Sequence, residues 1–414
     1  MESTFPIYPK SNDQEYTIEY LSQGLNVINI DKIKKDIADN GWNNTACILG
    51  YDVSHYDNLR LAGRMLMAEH LETTPKTVVE YAKSLRYKDV LKRKVRFNPV
   101  IYDFIIDNVD ELQLMVDSQH GMEFNCDWFS ANSLLRTYLA KPSADAKTTE
   151  TPRHLWLRVS VALYHRRGLD DVRTAFNHLC QQYYIPASPT IFNAGFDNGQ
   201  LASCFLITIF DDLNSILYTG VGDSGIISKN TGGIGLDMSR IRHSEIDITG
   251  VSDGLIPWLH LYNATIRACN QGGGKRKGAC TVYCRAFHID IKKFCEVSLN
   301  SGNQYDRAHD LNTSIWFPWL FWDRVVKGEN WTLFCPAKTK LLNDCFGMEF
   351  EREYIKYEAD PTIPKEVMKA VDLLKLIVSV QIKSGMPYIM HGDACNMKSN
   401  QKHLGYISLS LIHI

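Results

Sequence analysis

A change of pattern at Ile185 constrains the fold more than any other feature of this sequence. After it, short apolar runs alternate with turn signals and helical stretches. The runs Ser203–Ile209 and Ala279–Ala286 predict strands, and Leu255–Cys269 between them predicts a helix. Strands that alternate with helices are typical of a parallel α/β sheet or barrel. The pattern also predicts a tight turn at Gly232–Gly235 before another strand, and a long amphipathic helix over Pro364–Ser384.

Before this change, the pattern is helical. Helices are predicted over Asp31–Asn40, over Ser54–Leu71 with Ser54 as N-cap, and from Thr74-Pro75 to Arg86 with the proline at the first helical position. The small, polar stretch Pro142–Thr151 predicts an exposed loop. Two further helices are predicted, Leu155–His165 and Leu169–Tyr184.

Composition excludes several classes of protein. The 414 residues are 45% hydrophobic and 22% charged, as in an average globular chain, and the length predicts more than one domain. The net charge of −2 gives no sign of direct nucleic-acid binding. Since no apolar run is long enough to span a membrane and no signal peptide opens the chain, a cytoplasmic location without membrane contact is expected.

The eleven cysteines are irregularly spaced, which argues against a disulfide framework. Cys280, Cys284 and His288 stand four residues apart and raise the question of zinc. On a strand they would lie in a line instead of surrounding an ion, so no metal site is expected there. Cys204 sits inside a predicted strand, and the simplest local interpretation is a buried core residue.

The stretch Gln271–Gly278 reads Gln-Gly-Gly-Gly-Lys-Arg-Lys-Gly. Its glycines let the backbone approach a ligand, and its three cations favour phosphate. The order of residues is not that of a Walker loop. On its own, the stretch fits a phosphate-binding loop and a solvated basic turn equally well.

Nine blocks, taken in order, resemble the large, catalytic chain of class I ribonucleotide reductase. They are Pro186–Gly195, Gln200–Leu206, Ile227–Gly235, Gln271–Ala279, His288–Ile291, Arg307–Leu311, Leu333–Pro336, Gly385–Tyr388 and Asn396–Gln401. The resemblance implies an α/β fold: a helical amino-terminal region followed by the first half of a ten-stranded α/β barrel. The implied division is a degenerate, ATP-cone-like helical region over 1–90, a helical domain over 91–184 and a partial barrel over 185–414.

The same resemblance implies reduction of ribonucleoside diphosphates to deoxyribonucleotides by thiyl-radical and dithiol chemistry. Cys204 matches the first member of the family's redox cysteine pair, and this overrides its local interpretation. Ser188 and Ser203 match residues that bind substrate. The implied partners are a radical-bearing small subunit and a thioredoxin- or glutaredoxin-type dithiol reductant, and no metal is expected to be held by this chain.

Regulation by nucleotides is also implied. Asp212, Lys229 and Arg242 fall where the family binds a nucleoside triphosphate effector, ATP or a deoxynucleotide, together with Mg²⁺ and at a homodimer interface. The mobile loop that links effector to substrate matches seven consecutive residues: Asn270, Gln271, Gly272, Gly273, Gly274, Lys275 and Arg276. Its glycines make two loop conformations accessible, so an effector that favours one of them selects a substrate base.

Two departures from the family affect what the chain is expected to do. The basic hairpin that opens the family's ATP-binding cone has no counterpart in Met1–Ser22. Near the other end, Leu411 stands where the family's asparagine belongs and His413 where its radical cysteine belongs. We therefore expect a truncated copy that is inactive alone. It would be a fragment of an active enzyme, an inactive nucleotide-binding regulator or an interaction module for a complete chain.

Overall fold

The computed structural model describes residues 16–86, 97–141, 147–197, 199–230, 232–246, 250–269 and 278–409. The chain divides into two compact units between Ala202 and Ser203. The first unit is helical and the second is built on a parallel sheet, so the predicted fold class is confirmed.

The helices of the first unit pack on two apolar cores. They are α1 (Ile18–Leu21), α2 (Ile30–Asn40), α3 (Trp42–Tyr51), α4 (Tyr56–Glu72), α5 (Val78–Leu85), α6 (Pro99–Asp107), α7 (Val109–Ser118), α8 (Trp128–Ser133), α9 (Pro152–Tyr164), α10 (Leu169–Cys180) and α11 (Ser188–Asn193).

Three predicted helix boundaries in this unit are wrong. Helix α4 is capped by His55, whose ring accepts from the Asp57 N–H, and not by Ser54. Helix α5 begins after Thr77, because Thr77 and Glu80 form a reciprocal capping box that satisfies the first free backbone N–H groups. Helix α10 ends at Cys180, short of the predicted Tyr184.

The first half of the predicted exposed loop, 142–146, lies outside the described residues, and its last two residues, Glu150 and Thr151, are buried instead of exposed. Glu150 is fully buried and accepts two hydrogen bonds from Arg158, at 2.8 and 3.0 Å, as well as one from the Tyr81 hydroxyl. Arg158 also donates to the Ala194 carbonyl. A buried ion pair is stable only when its remaining hydrogen-bonding groups are satisfied, and here the segment before α9, helix α5 and the end of α11 all take part.

The second unit is organised by a five-stranded parallel sheet in the order β1-β2-β5-β6-β9. Its strands and helices are β1 (Cys204–Thr208), α12 (Ser224–Lys229), β2 (Gly233–Asp237), β3 (Glu245–Ile246), β4 (Gly250–Val251), α13 (Ile256–Cys269), β5 (Cys280–Arg285), α14 (Ile291–Glu296), β6 (Asn312–Phe317), α15 (Trp319–Lys327), β7 (Asn330–Phe334), α16 (Gly347–Ala359), β8 (Lys365–Lys369), α17 (Ala370–Ser384), β9 (Tyr388–His391) and α18 (Gly392–Lys398).

Two predictions in this unit are wrong. The strand expected after the turn at Gly232–Gly235 already begins at Gly233, and Gly233–Asp237 lies between β1 and β5. Pro364–Ser384 is not one helix, since Lys365–Lys369 pairs antiparallel with β7 before the helix begins at Ala370. The helix stops where predicted, at Gly385, which takes a positive φ of 77° as its C-cap. No helix in the described ranges is long and apolar enough to cross a membrane.

His154 makes the stability of the helical unit depend on pH. It is buried, stacks on the Tyr81 ring at 4.3 Å, and has no hydrogen-bond partner for either ring nitrogen within the described residues. Burial lowers the pKa of His154 to about 3, and it also lowers the pKa of His70 and of His120. The unfolded chain therefore binds protons below about pH 6.5 that the folded chain does not bind.

We predict that the free energy of unfolding falls as the pH drops from 7.5 to 5.5, with His154 contributing about 1.4 kcal/mol of the loss. His154→Phe keeps an aromatic ring against Tyr81 but cannot bind a proton, so this part of the loss should disappear. Urea unfolding at the two pH values measures it. His178→Phe, at an exposed histidine of α10, is the matched control. Equal losses in His154→Phe and the wild type would contradict the prediction.

Candidate functional site

The two faces of the parallel sheet differ in chemistry. Ile207, Leu236, Val282 and Ile315 point to one face, where they pack in the apolar core under the helices. The register pairs Cys204 with Gly233, and paired residues of parallel strands share a face. Cys204 therefore belongs to the face opposite that core.

Cys204 is the first residue of β1, an edge strand of the described sheet. Its side chain is exposed, so the expectation of a core cysteine from local sequence is wrong. Gly233 beside it has no side chain to cover the thiol. The neighbouring Ser203 hydroxyl lies 3.3 Å from the Cys204 sulfur. A thiol on an open sheet face, flanked by a hydroxyl and bare backbone, is accessible to a ligand.

The other cysteines lie in different surroundings. All eleven fall within the described ranges, and Cys204 is the only one that is exposed. Cys280 and Cys284 are fully buried on the core face, and burial raises the pKa of both thiols. Burial also raises the pKa of Cys345 to about 11. A thiol reacts as the thiolate, so these buried residues are poor nucleophiles.

Both ring nitrogens of the buried His288 already have partners within the protein. Its Nδ1 accepts from the Asp290 N–H at 3.0 Å, and its Nε2 lies 2.9 Å from the Ile241 carbonyl. Neither ring nitrogen is left for a metal ion. More broadly, no group of three or more His, Cys, Asp or Glu side chains among the described residues is placed to hold a metal.

Ser188 opens helix α11 in the helical unit. Its hydroxyl lies 3.1 Å from the Tyr138 hydroxyl, and the residue is half-buried. Because the two units are separate compact bodies, the structure describes Ser188 only within its own unit.

The three predicted effector residues do not form one cluster within a chain. A π-helical segment, Asn214–Asp223, continues directly into α12. Asp212 lies just before this segment, and Lys229 is the last residue of α12. The two residues are thus separated by a helix roughly 20 Å long. Arg242 lies in the loop after β2, at the same end of the sheet as Asp212.

Asp212 and Lys229 differ in what they contact. Asp212 caps the start of the π-helical segment by accepting from the Ser215 N–H at 2.8 Å. Lys229 is exposed and has no ion-pair partner in the part of the chain that the structure describes. Helix capping explains in part why an aspartate stands at this position. The lysine lies in the last turn of α12, where a positive charge stabilises the carboxyl end of a helix.

Sequence reasoning missed Asp211. Its carboxylate pairs with Arg242, accepting from the guanidinium Nε at 2.5 Å and from the Arg242 backbone N–H at 3.2 Å. The only sequence signal was the doublet Asp211-Asp212 after a strand. The predicted loop Asn270–Arg276 lies outside the described residues. Its flanks are the end of α13 at Cys269 and the start of β5 at Cys280.

Comparison with known proteins gives two family matches. "Ribonucleotide reductase, all-alpha domain" matches residues 124–199, and "Ribonucleotide reductase, barrel domain" matches residues 202–410, about half of the chain. The chain belongs to the ribonucleotide reductase large-subunit family. The resemblance seen in the sequence is thereby confirmed. Cys204, Asp212, Lys229 and Arg242 lie within the barrel-domain match, and Ser188 within the all-alpha match.

Several relatives are similar over most of this chain. The ribonucleoside-diphosphate reductase large subunit of Arabidopsis thaliana is 37% identical over 362 residues, which cover 86% of this chain and 44% of that protein. That of Plasmodium falciparum is 38% identical with the same coverage, and that of Variola virus is 34% identical over 95% of this chain and 50% of its own length. The chain spans about half the length of the curated relatives it matches.

We predict that Cys204 is the fastest-reacting thiol of the native chain, because it is the exposed one. Brief treatment with N-ethylmaleimide, followed by peptide mass spectrometry, should label Cys204 first, and Cys280 and Cys284 only after unfolding. Cys204→Ser should abolish the fast label, whereas Cys280→Ser should leave it. A fast label that persists in Cys204→Ser would contradict the exposure of this residue.

Proposed function

We propose that this chain serves in the reduction of ribonucleoside diphosphates to deoxyribonucleotides for DNA synthesis, with Cys204 as a redox thiol. The observation that carries the proposal is the exposure of Cys204 on the sheet face opposite the apolar core. The family match and the names of the relatives support the reaction class.

The chemistry assigned to Cys204 is that of one member of a thiol pair. Replacing the ribose 2′-hydroxyl by hydrogen consumes two electrons and two protons. Two thiols supply both when they are oxidised to a disulfide, and the hydroxyl leaves as water. An external dithiol of the thioredoxin or glutaredoxin type then reduces the disulfide by thiol–disulfide exchange. Such exchange requires access to the sulfur, which Cys204 offers and the buried cysteines do not.

Ser203 and Ser188 are proposed to bind the substrate. The Ser203 hydroxyl lies beside the Cys204 sulfur, where it could donate to a ligand oxygen that approaches the thiol. Ser188 is half-buried at the start of a helix and has a hydroxyl partner, Tyr138. Both assignments rest on the family resemblance, and the contact between Ser203 and the thiol adds a geometric reason for the first.

The effector site is proposed to be shared between two copies of the chain. Within one chain, Asp212 and Arg242 lie at one end of the helix and Lys229 lies at the other end. A single copy therefore cannot bring all three residues to one ligand. In a homodimer, Lys229 of one copy could face Asp212 and Arg242 of the other. The helix between them also exposes large apolar side chains, Leu213, Tyr218 and Ile226, which a second copy would cover.

The remaining parts of the proposal follow from the family. The effector is ATP or a deoxynucleoside triphosphate with Mg²⁺, read out through the loop Asn270–Arg276. A radical-bearing small subunit supplies the radical, and the complex works in the cytoplasm. The division into 1–90, 91–184 and 185–414 is part of the same proposal.

We predict that Cys204→Ser abolishes multiple-turnover reduction in a chain extended to the length of the relatives, because a hydroxyl cannot enter a disulfide. Binding of the substrate should persist. Deoxynucleotide formation with small subunit, dithiothreitol and effector measures the loss. Cys47→Ser, a half-buried cysteine of the helical unit, is the control and should stay active. Normal turnover by Cys204→Ser would refute the assignment.

We also predict that Arg242→Ala weakens binding of a deoxynucleoside triphosphate. Loss of one charge-assisted hydrogen bond costs about 1.5–3 kcal/mol, which is roughly a ten- to hundredfold change in affinity. Isothermal titration of a dimeric sample measures it. Arg267→Ala removes an exposed arginine from α13 of the same unit and should have no effect. Unchanged affinity in Arg242→Ala would reject the effector site.

A further inference from the structure

Asp211 occupies one edge of the Arg242 guanidinium. One carboxylate oxygen accepts from Nε at 2.5 Å, and the other accepts from the Arg242 backbone N–H at 3.2 Å. Both side chains are partly exposed, at 23% for Asp211 and 38% for Arg242. The pair is thus a geometrically fixed but partly solvated contact. Both oxygens of the carboxylate accept from the same residue, Arg242.

The opposite edge of the guanidinium remains available. Among the described residues, neither Nη group of Arg242 has a hydrogen-bond partner. An arginine binds phosphate best through two parallel N–H groups. With Nε held by Asp211, the Nη groups are the donors that a phosphate can reach. Asp211 therefore leaves the phosphate-binding edge open while placing a negative charge beside it.

The backbone around Arg242 has contacts besides the one that its N–H makes with Asp211. The Ser252 hydroxyl donates to the Arg242 carbonyl at 3.0 Å. The next residue, His243, donates its backbone N–H to the Cys335 sulfur, and its ring pairs with the buried Asp290. These contacts hold the loop on the carboxyl side of the Arg242 N–H, where Asp211 makes no contact. The electrostatic effect of Asp211 can thus be separated from a structural one.

The charge balance at this half of the site is unfavourable to a polyphosphate. Asp211 and Asp212 carry two negative charges against the single positive charge of Arg242, which leaves the half-site of one chain at −1. We propose that Asp211 is an internal counter-ion that lowers the affinity of the effector site for the triphosphate, so that one effector can be exchanged for another. This inference rests on the proposed effector site, and it concerns a residue to which the resemblance gives no role.

The test compares Asp211→Asn with the wild type in equilibrium binding of dTTP and of inorganic tripolyphosphate, both with Mg²⁺. Asparagine removes the charge and keeps one oxygen acceptor, which serves either the Arg242 Nε or the Arg242 backbone N–H but not both. Affinity for both ligands should rise roughly three- to tenfold in 50 mM salt, as expected for one partly screened charge. The gain should shrink in 500 mM salt, because screening then acts over only a few ångströms. A purely structural role would not depend on salt in this way.

Two variants separate the possible outcomes. Asp372→Asn removes the same charge from the exposed surface of α17 and should leave affinity unchanged. Arg242→Ala tests the site itself. If Arg242→Ala weakens binding but Asp211→Asn leaves it unchanged or lower, Asp211 is a positioning residue and the counter-ion proposal is wrong. If Arg242→Ala has no effect, the effector site is rejected, and the proposal with it. Equal melting temperatures of Asp211→Asn and wild type ensure that folded proteins are compared.

Discussion

The parallel pairing of β1, β2 and β5 is the constraint on which the candidate site depends. Its register sends Ile207, Leu236 and Val282 to the core side, and this leaves Cys204 on the other side by the alternation of the strand. A shift by one residue would bury the thiol and expose the apolar residues. The burial of the core and the exposure of the thiol are therefore set by the same hydrogen-bond ladder.

The helix between the proposed effector residues sets the distance between them, and packing holds this helix in place. The helix that joins Asp212 to Lys229 runs back along the sheet from the carboxyl end of β1 to the amino end of β2. Gly220 lets this helix lie against α13, because a Cβ there would come within 1.9 Å of the Tyr262 hydroxyl. That hydroxyl donates to the Ile216 carbonyl and so ties the two helices together. The separation of the charges is thus the length of this helix, and its packing on α13 holds it along the sheet.

The elements with strong local signals could be predicted from the sequence. The predicted helix Asp31–Asn40 and strand Ala279–Ala286 match α2 and β5 to within one residue at each end, since caps and apolar runs mark them. The failures have tertiary causes. Lys365–Lys369 continues a helical pattern but pairs with β7 through five residues of ladder. Gly233–Asp237 has a turn-like composition, yet it lies between two strands that satisfy its backbone. Neither pairing is visible within the segment itself.

The candidate site shows the same limit. Family resemblance indicated Cys204 and Arg242 as site residues, but the local sequence pattern placed Cys204 in the core. The sequence of a strand at the edge of a sheet does not differ from that of a strand at its centre in a way that would have shown this. The Asp211–Arg242 pair could not be predicted, since its members are 31 residues apart and meet only when β1 and β2 align.

The parallel alignment of the strands also brings the ends of α12 and α13 and the start of β1 to the amino edge of the sheet. Lys229, the flanks of the loop 270–276 and the Cys204 thiol share this edge. The proposed effector residue Lys229 and the thiol therefore lie at the same edge of the sheet within one chain.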